Sequence, residues 1–92
     1  MKQSISGSGS FTDPVALVGP FGFVLSGIWS GTVTVEISFD EDPSTATWEK
    51  TATYLANIAT MGDAPPNRLM LCRVGFRAGE YASGTAVVEI AQ

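Results

Sequence analysis

The fold class is decided by the stretch Thr32-Val33-Thr34-Val35-Glu36-Ile37-Ser38-Phe39, in which polar and apolar residues alternate strictly. Successive side chains of a β-strand point to opposite faces of the sheet, whereas one face of a helix repeats every 3.6 residues. The stretch therefore predicts a half-buried antiparallel strand. The residues predicted to face the core are Val33, Val35, Ile37 and Phe39, and those predicted to face outward are Thr32, Thr34, Glu36 and Ser38.

The segments on either side also have a period of two. Upstream, Ser30-Gly31 predicts a turn, and the strand before it collects one large apolar face, made of Phe21, Phe23, Leu25 and Trp29. Downstream, the acidic stretch 40–45 predicts a loop, and residues 47–55 predict a returning strand, so we expect a hairpin. Three residues of that returning strand are in phase, namely Trp48, Ala52 and Tyr54.

Three further segments read as strands, at residues 15–18, 67–77 and 85–91, the last preceded by a turn at 79–84. The middle one is apolar on both sides in its first half, which favours a central position in a sheet. Its predicted core face consists of Met70, Cys72, Val74 and Phe76. Residues 56–61 are compatible with a short helical turn, which Pro65 and Pro66 would end. Six or so closely spaced strands predict an all-β domain over residues 13–92, a small antiparallel β-sandwich or jelly-roll-like barrel.

Residues 1–12 are rich in serine and glycine and carry little apolar surface. Two interpretations are open: a flexible N-terminal arm, or the first edge strand of the domain. As an arm, the segment would gain order only by adding itself to a partner's sheet edge, with Ile5 and Phe11 as anchors.

The composition limits the possible functions. The chain has 92 residues and is 45% hydrophobic but only 15% charged, which predicts that part of its surface binds a partner. A homo-oligomer is expected, with a trimer favoured. Five basic residues and a net charge of −4 are too few positive charges for direct nucleic-acid binding. No apolar run is long enough for a membrane span or a signal peptide, so we expect neither membrane association nor secretion.

No residue pattern predicts catalysis, a metal or a cofactor. The chain has no histidine and one cysteine, Cys72, which lies in an apolar run and reads as a small core residue. The carboxylates at 40–42 lack the spacing of a calcium loop, so a solvated hairpin tip is favoured over a calcium site. Glu36 and Glu49 could form a pair across one hairpin, but nothing beside them tunes their pKa values. We therefore expect a protein that is not an enzyme.

The aromatic residues allow a carbohydrate-binding interpretation. Exposed rings suit the apolar face of a sugar, and Trp29, Trp48 and Tyr81 are the candidates for such a platform. The alternative is that Trp29 and Trp48 fill the core, because each is in phase with apolar neighbours.

Two groups of segments resemble known sequence patterns. Residues Ser38, Asp40, Thr47 and Trp48 resemble a stretched Ser-x-Asp-x-Gly-x-Thr-Trp hairpin, the Asp-box pattern, with Pro43 where glycine would stand; this implies a fold element and not a catalytic site. More broadly, residues 21–92 resemble small β-domains of tailed bacteriophages. The matching segments are Ser26-Gly27-Ile28-Trp29-Ser30-Gly31-Thr32-Val33, Ser38-Phe39-Asp40, Thr47-Trp48, Leu71-Cys72-Arg73-Val74 and Ser83-Gly84-Thr85-Ala86-Val87.

The resemblance to phage β-domains implies a virion component made in the host cytoplasm. The leading hypothesis is a capsid decoration or cement protein that bridges major capsid subunits. The alternatives are a tail, baseplate or fibre-attachment subunit, or, from a different class, a carbohydrate-binding module.

Overall fold

The computed structural model describes all 92 residues and contains eight β-strands. They are β1 (Lys2–Ile5), β2 (Val15–Leu17), β3 (Pro20–Gly31), β4 (Val33–Ser38), β5 (Glu49–Tyr54), β6 (Ile58–Asp63), β7 (Met70–Gly75) and β8 (Tyr81–Ala91). No helix is long and apolar enough to cross a membrane.

The strands form two four-stranded antiparallel sheets. Sheet A has the order β1-β8-β3-β6, and sheet B has the order β2-β7-β4-β5. Their inner faces pack on each other around one cluster of 13 buried side chains, to which β3, β7 and β8 contribute most. The prediction of an all-β, small antiparallel β-sandwich is therefore confirmed.

The period of two identified the core-facing residues of the central strands. All four predicted core residues of the β7 segment, Met70 to Phe76, belong to the buried cluster, and β7 lies between β2 and β4 inside sheet B. In β4, Val33 is fully buried, and Val35 and Ile37 pack against the cluster. Phe39, predicted to be buried, is 43% exposed. It follows the last residue of β4, where the chain leaves the sheet.

The N-terminal segment belongs to the domain, so the flexible-arm interpretation is wrong. Residues 2–5 form an edge strand paired with β8 from Lys2↔Glu89 to Ile5↔Ala86, and Ile5 is only 3% exposed. Residues 10–12 then run antiparallel beside the end of β7, with hydrogen bonds from Thr12 N to Val74 O and from Phe76 N to Ser10 O. A β-carbon at Gly75 would clash with the backbone oxygen of Ser10, so this close approach requires glycine there.

Two other local predictions are corrected. Residues 56–61, expected as a helical turn, contribute to strand β6, which pairs with β3 from Pro20↔Asp63 to Leu25↔Ile58. One edge of the 12-residue β3 pairs with β8, and its other edge pairs with β6. This tertiary pairing overrides the weak local preference of residues 56–61 for a helical turn. Residues 81–84, expected as part of a turn, begin β8 and pair with the end of β3.

Candidate functional site

The largest recess of the molecule, about 370 Å³, lies at the end of sheet B where β4 stops and β7 starts. Its lining consists of Phe39, Asp40, Glu41, Arg68, Leu69 and Leu71. Leu71 is buried at 9% exposure, whereas Phe39 and Leu69 are 43% and 61% exposed. The recess therefore has an apolar surface that this chain leaves open to solvent.

Strand register places these side chains together. Ser38↔Leu71 is the last pair between β4 and β7, so Phe39 and Leu69 lie just beyond the paired ends of neighbouring strands. The Arg68 guanidinium carbon lies 4.5 Å from the centroid of the Phe39 ring. This cation–π contact holds a positive charge on one side of the recess.

The acidic rim is divided between one bound and one free carboxylate. Asp40 Oδ2 accepts hydrogen bonds from Ser38 Oγ at 3.1 Å and from Thr47 N at 2.7 Å. The Asp40 carboxylate therefore stabilises the hairpin turn. Its hydrogen bonds link Ser38, Asp40 and Thr47, three of the four residues of the Asp-box-like pattern. Glu41 is exposed and has no hydrogen bond or salt bridge within the chain. An apolar partner side chain next to a basic one would match this arrangement.

The hairpin loop organises itself through its own side chains. Asp42 Oδ1 accepts hydrogen bonds from Ser44 Oγ at 2.8 Å and Ser44 N at 2.9 Å, and these bonds lower the pKa of the Asp42 carboxyl. No group of three histidine, cysteine, aspartate or glutamate side chains comes together to hold a metal ion.

The outer face of sheet B carries a charged cluster that the sequence patterns did not reveal. Glu36, predicted to face solvent, is 4% exposed. Its Oε1 lies 2.7 Å from Arg73 and its Oε2 lies 2.7 Å from Arg77. The Arg73 guanidinium carbon in turn lies over two rings, 4.3 Å from the Phe11 centroid and 4.5 Å from the Trp48 centroid. Phe11 of the N-terminal segment and Trp48, just before β5, thus cover this part of the face.

A β-bulge explains why Trp48 joins this cluster instead of the core. The β4–β5 register runs Val35↔Ala52 and then Glu36↔Lys50, so Thr51 has no partner in β4. One extra residue reverses which face every preceding side chain occupies. Trp48 therefore lies on the outer side with Arg73, although its spacing from Ala52 predicted the core. Glu49 lies opposite Ile37 and Glu36 opposite Lys50, so the two glutamates do not form a pair on one face.

The other candidate platform residues lie elsewhere. The rings of Trp29 and Tyr81 contact the buried Phe76 ring edge-on, at centroid distances of 5.9 and 4.9 Å. Trp29 Nε1 donates a hydrogen bond to Asn57 Oδ1, and the Tyr81 hydroxyl donates one to Gly84 O. Both polar groups are thus used inside the chain. Trp48 lies on the opposite side of sheet B, so the three aromatic residues do not form one platform.

The two proposed anchor residues also have partners within the chain. Ile5 fills the core at 3% exposure, and Phe11 is half-buried against Arg73. Cys72 is 1% exposed, and burial raises the pKa of its thiol from 9.0 to about 11. The thiol is accordingly neutral at physiological pH, as a core side chain would be.

The recess residues gave only a weak signal in the sequence. Phe39 and Leu69 both continue apolar patterns, and periodicity alone assigns such residues to the core. Their exposure depends on where β4 ends and β7 begins, and element boundaries are poorly marked in a sequence. Comparison of the chain with protein-family models, with curated proteins and with solved structures finds no match.

Proposed function

We propose that this protein is a non-enzymatic structural component of a bacteriophage virion, a capsid decoration or cement protein that docks onto major capsid subunits. Support for the virion assignment comes from the segments that resemble small phage β-domains. Support for the docking role comes from the surface of the fold.

The recess at the end of sheet B is the observation that carries the docking role. Phe39, Leu69 and Leu71 present apolar surface in a concave setting, and Glu41 leaves one carboxylate free beside it. Contiguous apolar surface rimmed by charge is typical of protein–protein contacts. A decoration protein needs such a surface, because its binding energy must come from contact with the particle.

The expected partner surface is a protein loop with an apolar side chain and a neighbouring lysine or arginine. The apolar side chain would enter between Phe39 and Leu69, and the basic group would meet Glu41. Arg68 is held over the Phe39 ring, which leaves its positive charge less available to an acidic partner. A partner segment of mixed apolar and basic character therefore fits better than an acidic one.

Binding to particles tests this proposal. The purified protein is added to particles of the encoding phage from which it has been stripped, and binding is measured by sedimentation and electron microscopy. We expect Leu69→Asp to weaken binding by about 100-fold, since it places a charge in the apolar contact. Ile28→Asp is the matched control. Ile28 is 91% exposed on β3, far from the recess in the fold, and its substitution should leave binding unchanged.

The images also separate the alternatives within the virion. Density on the capsid lattice supports a decoration protein, whereas density on the tail or baseplate would replace that role with the tail-associated one. If the wild-type protein binds no particle, or if Leu69→Asp binds as well as Ile28→Asp, the proposed docking role of the recess is wrong.

A further inference from the structure

Each sheet of the sandwich ends in two edge strands, whose outward N–H and C=O groups have no strand partner. Exposed edges invite pairing with other chains, and proteins usually protect them by charges, prolines, bulges or short length. Three of the four edges here are protected. Strand β1 has four residues and carries Lys2; β2 has three residues between Pro14 and Pro20; β5 carries Glu49, Lys50 and the bulge at Thr51.

Strand β6 is the exception. It has six residues, Ile58-Ala59-Thr60-Met61-Gly62-Asp63, and pairs with β3 without a register shift. It contains no lysine, arginine or proline, and its only charge, Asp63, is at the end. Ala59 and Thr60 are exposed, and Met61 is 72% exposed. The edge of sheet A is therefore regular, neutral and apolar at its centre.

We propose that β6 pairs antiparallel with β6 of a second copy of this chain, around a two-fold axis at Thr60, and joins two copies of sheet A into one eight-stranded sheet. The partner is a second copy because the strand is complementary to itself. About half of the backbone N–H and C=O groups of an edge strand point outward, and an identical antiparallel strand satisfies them on both sides.

Charge and size both favour this register. Antiparallel pairing centred on Thr60 places Asp63 of each copy opposite the uncharged Asn57 of the other, at the two ends of the contact. Parallel pairing would place the two Asp63 carboxylates side by side, which is destabilising. The same register sets each Met61 opposite the small Ala59 of the other copy, and both lie on the outer face of sheet A, across from Gly22 and Val24 of β3.

This contact generates a dimer and not the trimer favoured on sequence grounds. In an isologous pairing the β6 edge of each copy is occupied by β6 of the other, so no free β6 edge remains for a third copy. A trimer would require β6 to meet a different edge, and the other edges are charged, bulged or short. The dimer also removes from solvent the unprotected edge of β6.

A charge exchange across the axis tests the register. In the proposed dimer, residue 59 of one copy faces residue 61 of the other. The double substitution Ala59→Lys with Met61→Lys opposes like charges twice, and we expect the dimer to weaken by about 100-fold or more. Ala59→Lys with Met61→Glu opposes unlike charges at the same positions and should retain the dimer. Sedimentation equilibrium of the wild-type protein and both variants measures the effect, with circular dichroism to verify folding.

Cross-linking tests the axis directly. Thr60→Cys should form a disulfide-linked dimer on mild oxidation, because the two copies of residue 60 are nearest neighbours across the axis. Thr53→Cys, on the protected edge strand β5, is the matched control and should remain uncross-linked; Cys72 is buried in both. The proposal is overturned if the wild-type protein is monomeric or trimeric at high concentration, if both charge variants dimerise equally, or if Thr53→Cys cross-links as readily as Thr60→Cys.

Discussion

The tripeptide Val-Glu-Ile occurs twice in this chain, as Val35-Glu36-Ile37 in β4 and as Val88-Glu89-Ile90 in β8. In both strands the valine and isoleucine contribute to the core or pack against it, and the glutamate points outward. The two glutamates nevertheless have opposite environments, since Glu36 is 4% exposed and Glu89 is exposed.

The difference lies in what covers the outer face of each sheet. Glu89 lies between Lys2 and Val24 on adjacent strands of sheet A, all in contact with solvent. Glu36 lies under Arg73 and Arg77, and Arg73 contacts the rings of Phe11 and Trp48. Alternation in the sequence thus predicted the direction of each side chain correctly but not its burial, because burial depends on segments distant in the chain.

The largest expected effect concerns the feature that both tripeptides share, their core-facing valines. Val88→Asp should unfold the domain, with a loss of more than about 4 kcal/mol, because Val88 is fully buried and no partner awaits a charge there. Val35→Asp should also be strongly destabilising, but less so, since Val35 is half-buried beside a cleft of about 120 Å³ between β5 and β6. Val24→Lys, which places a charge on the open outer face of sheet A beside Glu89, is the control and should change the unfolding free energy little. Urea titration measures all three, and a folded Val88→Asp protein would contradict the assigned core.

The next effect concerns residues 2–12, which pair with β8 of sheet A and place Phe11 over the outer face of sheet B. Deletion of residues 2–12 removes β1 from β8, Ile5 from the core and the antiparallel bridge between Phe11 and Gly75. We expect the melting temperature of the free protein to fall sharply, and Ile5→Ala alone to cost about 2–4 kcal/mol. If the truncated protein melts like the full chain, the segment does not stabilise the domain and a role in docking would become the better explanation.

The comparison of the two glutamates is tested by matched substitutions. Glu36→Gln removes the charge that pairs with Arg73 and Arg77, and the loss should be about 2 kcal/mol. Breaking a fully buried pair costs more, but the two arginine side chains remain 29% and 37% exposed and stay partly hydrated. Glu89→Gln should change stability by less than about 0.5 kcal/mol. Equal effects of the two substitutions would show that the cover over Glu36 does not persist in solution.

The pH dependence of stability tests the core environment beside Ile37, where the Cys72 thiol lies. Cys72 is paired with Ile37 in the register, and burial raises the pKa of its thiol from 9.0 to about 11. The unfolded chain therefore releases this proton first, so the stabilisation is complete below pH 9 and declines as the pH rises from 9 to about 11. The Cys72→Ala variant should lose less stability than the wild type over this interval. Parallel pH profiles of the two proteins would contradict a dry environment for the thiol.

The smallest expected effect is a gain in stability on the covered face. The hydroxyl of Thr34, two residues before Glu36, is fully buried and has no hydrogen-bond partner. Thr34→Val should stabilise the domain by about 1 kcal/mol, because it removes an unsatisfied polar group at nearly constant volume. The same exchange at the exposed Thr85 of sheet A should have almost no effect. A loss of stability in Thr34→Val would reveal a hydrogen bond that the hydroxyl makes in solution.

Local and non-local features of the fold differed in how well the sequence predicted them. Strict alternation identified β4 and the core face of β7, from Met70 to Phe76, because each depends only on the pleat of its own strand. The same reasoning failed for Trp48, since one bulge residue, Thr51, reversed the faces before it. It also failed for residues 58–63, where pairing with β3 decided the structure.

The candidate site was less predictable than the fold. Phe39 and Leu69 gave the same apolar signal as true core residues, and only the ends of β4 and β7 leave them exposed around the recess. The cluster of Glu36, Arg73 and Arg77 combines residues from separate strands, and its cover comes from residue 11 and residue 48. No local pattern in the chain indicates that these residues meet.

By itself, the sequence determined that this chain is an all-β domain and which side of most strands faces the core, because the two-residue period of a strand is a local property of the backbone. The tertiary structure alone decided which edges are protected, which outward face is covered and which apolar residues remain at the surface. Those features arise from contacts between residues far apart in the chain, such as Lys2 with Glu89 and Glu36 with Arg73. These contacts form only when the two sheets assemble, and no periodic pattern in the sequence of a single strand indicates that assembly.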